Sequence, residues 1–302
     1  MIKRAIIDIG TNTAHLLIGE ITSGQLQVLT KKRHYTFLGE GGLEEINNAA
    51  IQRLDVALLD FVKILQEYNC SKVHVIATEG LRSASNSTDI TDVIEKTYKW
   101  PYSIITGDQE AHYIYHGASQ ASPLSSLPHL VMDIGGGSVE FILHDGNNIT
   151  YQESHPIGIS RLYEKYHHTD PITEADIHHM YDDLDQELQE LWALVSTMSH
   201  SPLLVGCAGT FEVLLSPEDL HDLSLGSREV STSHLMSLLA SVIHKSIDER
   251  KIVPDLPSER ANYIVVALLL MNYMVKKLSA TTIQVSKYAL KEGAIMDDSL
   301  YR

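Results

Sequence analysis

Asp133-Ile134-Gly135-Gly136-Gly137-Ser138-Val139-Glu140 decides the fold, because three glycines stand directly behind an apolar run that ends in a carboxylate. Leu130-Val131-Met132 leads in, and Val139, Phe141, Ile142 and Leu143 lead out. The stretch therefore reads as a strand, a phosphate loop and a second strand. Without Cβ atoms, Gly135, Gly136 and Gly137 can take positive φ and turn several N–H groups toward one point, a concave anion site. Asp133 can hold a divalent cation beside the phosphate, since hard cations take oxygen ligands. A flexible linker would not carry such apolar flanks. The spacing is not Gly-x-Ser-x-Gly, Gly-Lys-Ser/Thr occurs nowhere, and a strand rather than a helix follows the glycines. A nucleophile elbow, a Walker loop and a dinucleotide fingerprint are thereby excluded.

The same pattern stands at the N-terminus. Sliding the chain by 125 positions puts Asp8 on Asp133, Gly10 on Gly135, Thr13 on Ser138 and His15 on Glu140. Gly10, Thr11, Asn12 and Thr13 form the first loop. Both copies go on to a short apolar strand and a polar turn, Thr22-Ser23-Gly24 and Asp145-Gly146-Asn147-Asn148, and then a third strand. A repeat this long is no solenoid. It predicts two similar α/β domains facing each other across a cleft, with two loops gripping two ends of one phosphate chain.

After the first meander, Ile51, Leu54, Leu58, Val62 and Leu65 mark one face of a helix over 47–68. A strand over 72–77, a helix over 88–99 ended by Trp100-Pro101, a strand over 103–106 and a helix over 108–120 follow. The order β-β-β-α-β-α-β-α is a ribonuclease-H-like plan. Ser122 to Pro128, rich in Ser and Pro, is the predicted linker between a domain over 1–122 and a larger one over 129–302, with packing of the final helix back on the first domain as the alternative. The second half is expected to hold helices over 159–166, 173–198, 233–243 and 259–278, the last capped by Ser258, with strands over 203–205 and 282–285 before a final helix. His74 to Gly80 parallels Leu203 to Thr210, each a buried strand running into a small-residue loop. Ligands of open α/β sheets bind at such carboxyl ends, which brings in Gly209 and Thr210 and predicts four loops facing one cleft.

A net charge of −16 argues against a nucleic-acid binder held by bulk electrostatics. A polyanion must then be received by loop N–H groups, helix N-termini, metal and selected arginines. Cys70 and Cys207 have no partner motif, which points to a reducing cytoplasm and not to a disulfide or zinc framework. The Met1-Ile2-Lys3-Arg4 start is interrupted by Asp8 too early for a signal peptide, and the longest apolar stretch, Ile264 to Met271, is too short for a membrane span and is expected within an amphipathic helix.

Together with Ala77-Thr78-Glu79-Gly80-Leu81-Arg82-Ser83-Ala84-Ser85-Asn86, Thr106-Gly107-Asp108-Gln109-Glu110-Ala111, Pro156 to Leu162, Gly206 to Thr210, Glu259-Arg260-Ala261 and Leu290-Lys291-Glu292-Gly293, these loops resemble the exopolyphosphatase and guanosine pentaphosphate phosphohydrolase family. The resemblance runs through nearly the whole chain. It implies two ribonuclease-H-like, actin-like ATPase domains flanking a cleft, and hydrolysis of a terminal phosphoryl group by water without a phosphoenzyme. The substrate it implies is inorganic polyphosphate, with guanosine pentaphosphate as the alternative. A superfamily phosphotransferase and a non-catalytic binder of either ligand are the other readings, and retention of a base speaks against the binder. Glu110 matches the general base. From the residues alone, a glutamate at this helix start fits a stabilised helix dipole equally well. Asp133 and Glu140 match positions that hold metal and orient water, Asp8 is a further metal-shell ligand, and Arg82 matches a phosphate-binding arginine whose planar fork suits phosphate oxygens. The cation implied is Mg²⁺, with Mn²⁺ second.

The chain departs from the family at Gln109, often a second glutamate, and at Val139, often threonine. Longer members add C-terminal helical domains, so the chain's end at Arg302 predicts a preference for short polyphosphate unless a homodimer supplies more surface. His167, His168, His178 and His179 with Asp182 and Asp183 lack an evident third ligand and are read as solvated helix surface. Lys31-Lys32-Arg33 is weighed as a guide for the polyanion against plain solvated charge.

Overall fold

The computed structural model describes residues 2–121, 124, 127–222, 225–254 and 256–301. Most of the predicted Ser122 to Pro128 linker lies outside the described residues. The chain divides into two compact units. The first is Met1–Ala121 with Gly135–Gly137 and Tyr288–Arg302, and the second is Ser122–Ile134 with Ser138–Lys287.

The first unit is built on a five-stranded sheet of order β3-β2-β1-β4-β5, made of β1 (Ile2–Ile9), β2 (Thr13–Thr22), β3 (Gln25–Tyr35), β4 (Val73–Ala77) and β5 (Tyr102–Ile104). β1 pairs antiparallel with β2 and parallel with β4, which is the ribonuclease-H-like arrangement. The β2–β3 turn uses positive φ at both Ser23 and Gly24, as a tight two-residue hairpin requires. Helix Asn48–Glu67 is capped by Asn47, whose side chain accepts from Ala50 N–H, and it buries Leu54, Leu58, Phe61 and Leu65 on the sheet.

The second unit repeats the plan in a six-stranded sheet of order β10-β11-β9-β6-β7-β8. Its strands are β6 (His129–Ile134), β7 (Val139–His144), β8 (Ile149–His155), β9 (Leu203–Cys207), β10 (Ser227–Ser231) and β11 (Thr282–Ser286). The extra strand, β10, pairs antiparallel with β11 at the sheet edge. Its Ser-Arg-Glu-Val-Ser sequence carries almost no apolar signal, so the sequence does not announce it.

Three expectations are corrected. The helix over 173–198 is two, Glu174–Glu187 and Gln189–Ser196, broken at Leu188. The helix over 259–278 begins only at Ile264, after a 3₁₀ turn at Ser258–Arg260, and Ser258 does not cap it. Nor is it amphipathic: every residue from Ile264 to Val275 is buried, so it is a core helix of its unit. No helix among the described residues is long and apolar enough to cross a membrane.

Candidate active site

In the first unit, the parallel pairing of β1 with β4 brings two loops side by side at the strand carboxyl ends. Thr78 N–H donates to Ile9 O at 3.2 Å, and Ile105 N–H reaches Ala77 O at 3.0 Å. Gly80 lies so close to the first loop that a Cβ there would sit 3.0 Å from Thr11 Cα. Gly10 N–H closes the loop on Thr13 O at 2.9 Å. The carbonyls of Thr11 and Asn12 accept from Gly39, Thr36 and Phe37, so the segment after β3 fastens the loop from outside.

Gly135, Gly136 and Gly137 are not in the left-handed region. Among the described residues the positive-φ glycines are Gly24, Gly41, Gly42 and Gly146. What this loop needs is room: a Cβ on Gly136 would lie 2.7 Å from Asn12 Nδ2, and one on Gly137 would lie 2.6 Å from Glu79 Cγ.

Glu110 is 7% exposed and sits in the first turn of helix Gly107–Ala121. Thr106 and Gln109 form a reciprocal cap: Thr106 N–H donates to Gln109 Oε1 at 3.0 Å and Gln109 N–H to Thr106 Oγ1 at 3.2 Å. Gln109 is thus committed to holding the turn that presents Glu110. Arg82 Nη1 donates to Ile105 O at 2.6 Å and lies 3.4 Å from Glu110 Oε2. The other edge of the guanidinium is held by Glu79, whose Oε2 accepts from Nη2 at 2.8 Å and from Nε at 3.2 Å.

Asp8 is the next-to-last residue of β1 and half-buried, and its carboxyl is pushed up to about 6 by burial, with Lys291 pulling it down and Glu292 pushing it up. Glu292 is fully buried and caps its own helix, Leu290–Ala294, by accepting from Ala289 N–H at 2.8 Å. Lys31 is not a free guide for a polyanion, since its Nζ lies 2.8 Å from Glu292 Oε1.

In the second unit, Asp133 and Glu140 are direct partners across β6 and β7, and both are buried, at 7% and 1% exposure. Opposed residues of an antiparallel pair share one face with Cβ atoms roughly 5 Å apart. Glu140 Oε1 accepts from Ser138 Oγ at 2.6 Å and from Ser154 Oγ at 2.7 Å. Ser138 is therefore tied to Glu140. The first unit repeats the motif, with Thr13 Oγ1 3.0 Å from His15 Nε2. Thr210 donates to Ile134 O at 2.7 Å, which pins the loop after β9 to the end of β6, and Gly209 O accepts from Arg260.

Ser154 and the Thr36–Gly39 segment have no place in the sequence reading, and Glu79 and Arg260 stand there only within family stretches, without a role. The Glu79–Arg82 spacing of three on a helix start is a signal that could have exposed the role of Glu79. Ser154 emerges only once the β7–β8 register pairs it with Glu140.

Among the described residues no three His, Cys, Asp or Glu side chains converge as a cage for a metal, the predicted histidine cluster included. Asp183 there is taken up by Lys165 and Tyr166. The donors beside the second loop are a pair of carboxylates, an oxygen set that fits a hard divalent cation. Two opposed carboxylates repel, and a cation between them would relieve that cost.

The family model described as the Ppx/GppA phosphatase family matches residues 17–302. A putative exopolyphosphatase of Haemophilus influenzae is 36% identical over 157 residues, 51% of this chain and 48% of that one. The chain thus matches about half the length of that relative. Exopolyphosphatase 1 of Mycobacterium leprae is 24% identical over 97% of this chain and 88% of its own. Among solved structures, an exopolyphosphatase from Cytophaga hutchinsonii superposes with a TM-score of 0.87 at 33% identity, covering 96% of both chains. The Aquifex aeolicus Ppx-GppA enzyme shares the fold, with a TM-score of 0.79 at 24% identity over 98% of this chain and 99% of that one.

Proposed function

The chain belongs to the Ppx/GppA phosphatase family, and from that premise we propose that it is an exopolyphosphatase, releasing terminal orthophosphate from inorganic polyphosphate by attack of water. The observation that carries this reading is Glu110, a buried carboxylate held at a capped helix start with the Arg82 guanidinium 3.4 Å away. A binding protein has no need of a base so placed. Glu110 accepts the proton of the attacking water. Arg82 and the N–H groups of the Gly10–Thr13 and Gly135–Ser138 loops receive phosphate oxygens. Gly209 and Thr210 shape the neighbouring loop of the second unit.

Asp133 and Glu140 of the second unit would hold the divalent cation, Mg²⁺ first and Mn²⁺ second, and Asp8 is the carboxylate that the first unit offers to a metal. The cation, when bound, neutralises charge that develops on the transferred phosphoryl group. Ser138 and Ser154 keep Glu140 in one rotamer for this work.

Guanosine pentaphosphate presents the same anhydride on a different leaving group and is the comparison substrate. The test is orthophosphate release from short polyphosphate and from guanosine pentaphosphate, with Mg²⁺ or EDTA, by the wild type and Glu110→Gln. Metal-dependent release from polyphosphate that drops about a hundred- to ten-thousand-fold in the folded variant is expected. Absence of release by the folded wild type with Mg²⁺ or Mn²⁺ would overturn the reading.

A further inference from the structure

Arg82 is already gripped by a carboxylate on the edge that a phosphate would take. Its Nε and Nη2 both point to Glu79 Oε2, at 3.2 and 2.8 Å, while Nη1 is spent on Ile105 O and on Glu110. Glu79 is in turn steadied by Ser83, whose Oγ donates to Oε1 at 2.8 Å. The Glu79 methylenes also lie against the glycine loop, since a Cβ on Gly137 would meet Glu79 Cγ at 2.6 Å. The Nε/Nη2 edge of a guanidinium is one of the two forks that bind phosphate with paired hydrogen bonds.

We propose that Glu79 occupies the phosphate-binding edge of Arg82 as a resident anion, and that a phosphate group must displace it to bind. This rests on the reading of Arg82 as a phosphate ligand and adds to it a competitor built into the chain. A carboxylate carries one negative charge and accepts with two oxygens. A chain-terminal phosphate carries more charge and more acceptors, so it wins the exchange, whereas singly charged oxyanions compete poorly. Breaking the Glu79 contact costs every incoming phosphate the same, so Glu79 weakens the retention of the orthophosphate product along with the binding of the chain. The Ser83 hydroxyl gives the displaced carboxylate a hydrogen bond it can keep while it swings away.

The probes are tripolyphosphate and inorganic phosphate, with binding measured by calorimetry and turnover by orthophosphate release. Glu79→Gln keeps the shape and removes the charge. Tripolyphosphate and orthophosphate are expected to bind about five-fold more tightly, with KM lowered and product inhibition strengthened, the effect of weakening one charge-assisted contact. The same substitution in an Arg82→Lys background should change affinity little, because lysine has no second edge to release. Unchanged or weakened binding by the folded Glu79→Gln protein overturns the inference, as does an equal gain in the Arg82→Lys background, which would mark a bulk charge effect. Tighter binding without turnover in any variant would sink the hydrolase reading and keep this one. Turnover without tighter binding would do the reverse, and no binding by either protein overturns both.

Discussion

Asp133 and Glu140 are direct cross-strand partners on β6 and β7, so two buried carboxylates share one face of the second sheet. The corresponding pair in the first unit is Asp8 and His15, a carboxylate facing an imidazole. Like charges placed opposite each other on a sheet are destabilising, so this pair is expected to be the better cation site. Mg²⁺ at about ten times its dissociation constant should stabilise the protein by about 1.4 kcal/mol. Asp133→Asn should lose that gain in thermal unfolding while folding normally in EDTA. A Tm response to Mg²⁺ that survives in Asp133→Asn would place the cation elsewhere.

Ser154 reaches Glu140 from the third strand of the second meander, and Ser138 reaches the same oxygen from the loop. Ser154→Ala removes one of two donors from a buried carboxylate, a loss of about 1 kcal/mol. Turnover should fall about five-fold at unchanged KM, because that conversion is 1 kcal/mol of positioning in the transition state and none in binding. A rise in KM alone would assign Ser154 to substrate binding.

Asp8 gives the metal-free protein a pH signature. Its folded value of about 6 lies above the ordinary 3.8 because of burial, so between these values the folded chain keeps a proton that the unfolded chain has released. Stability from this group is complete below the lower value and is lost as pH rises through the higher one. Asp8→Asn should therefore stabilise the protein in EDTA at pH 7.5 by about 2 kcal/mol, a figure reduced for the group's residual contact with solvent. Denaturant unfolding at pH 4 and pH 7.5 checks it, and an equal effect at both pH values would contradict the assignment.

Glu292 has the opposite sign. Burial raises its carboxyl, but Lys291 and Lys31 and the Ala289 N–H outweigh that and leave it below the usual glutamate range. Its contribution is present at neutral pH and is lost as pH falls through the depressed value. Glu292→Ala leaves Lys31 facing a hole and should cost about 3 kcal/mol, whereas Lys31→Met should cost less because Lys291 and the helix cap still serve the carboxylate. Equal costs in chemical denaturation would show that the pair, not the buried charge, carries the energy.

Both meanders and the strands at the cores of both sheets were legible because alternation, glycine turns and buried β-branched runs are local signals. The 125-residue slide went further, since Thr13 and His15 hydrogen-bond just as Ser138 and Glu140 do. What escaped depended on register and on partners distant in sequence. β10 is polar because an edge strand has little to bury, and Leu188 breaks a helix without a proline or glycine to mark it. The loop glycines were read as left-handed when the requirement was space. Arg82 was legible as a cation, but not that Glu79 already holds it, because a fork's occupancy is set by rotamers that sequence does not carry.

The C-terminal segment bears on Glu110 through two glycines. A Cβ on Gly293 would stand 1.9 Å from Tyr113 O, and one on Gly117 would stand 2.0 Å from Ala289 O, so helix Leu290–Ala294 and helix Gly107–Ala121 touch backbone to backbone. Tyr113 lies one turn beyond Glu110 and donates to Asp297 at 2.8 Å. Neither obstruction is a side chain that can swing aside, so Gly293→Ala must part the helices and should cost about 3 kcal/mol. Turnover should fall with stability, since the helix that moves is the one that presents Glu110, the proposed base. Adding Gly117→Ala should cost less than its separate effect, because the first alanine has already opened the gap that the second needs. Strict additivity in urea unfolding would mean that the two contacts yield independently and that the helix pair does not move as one body.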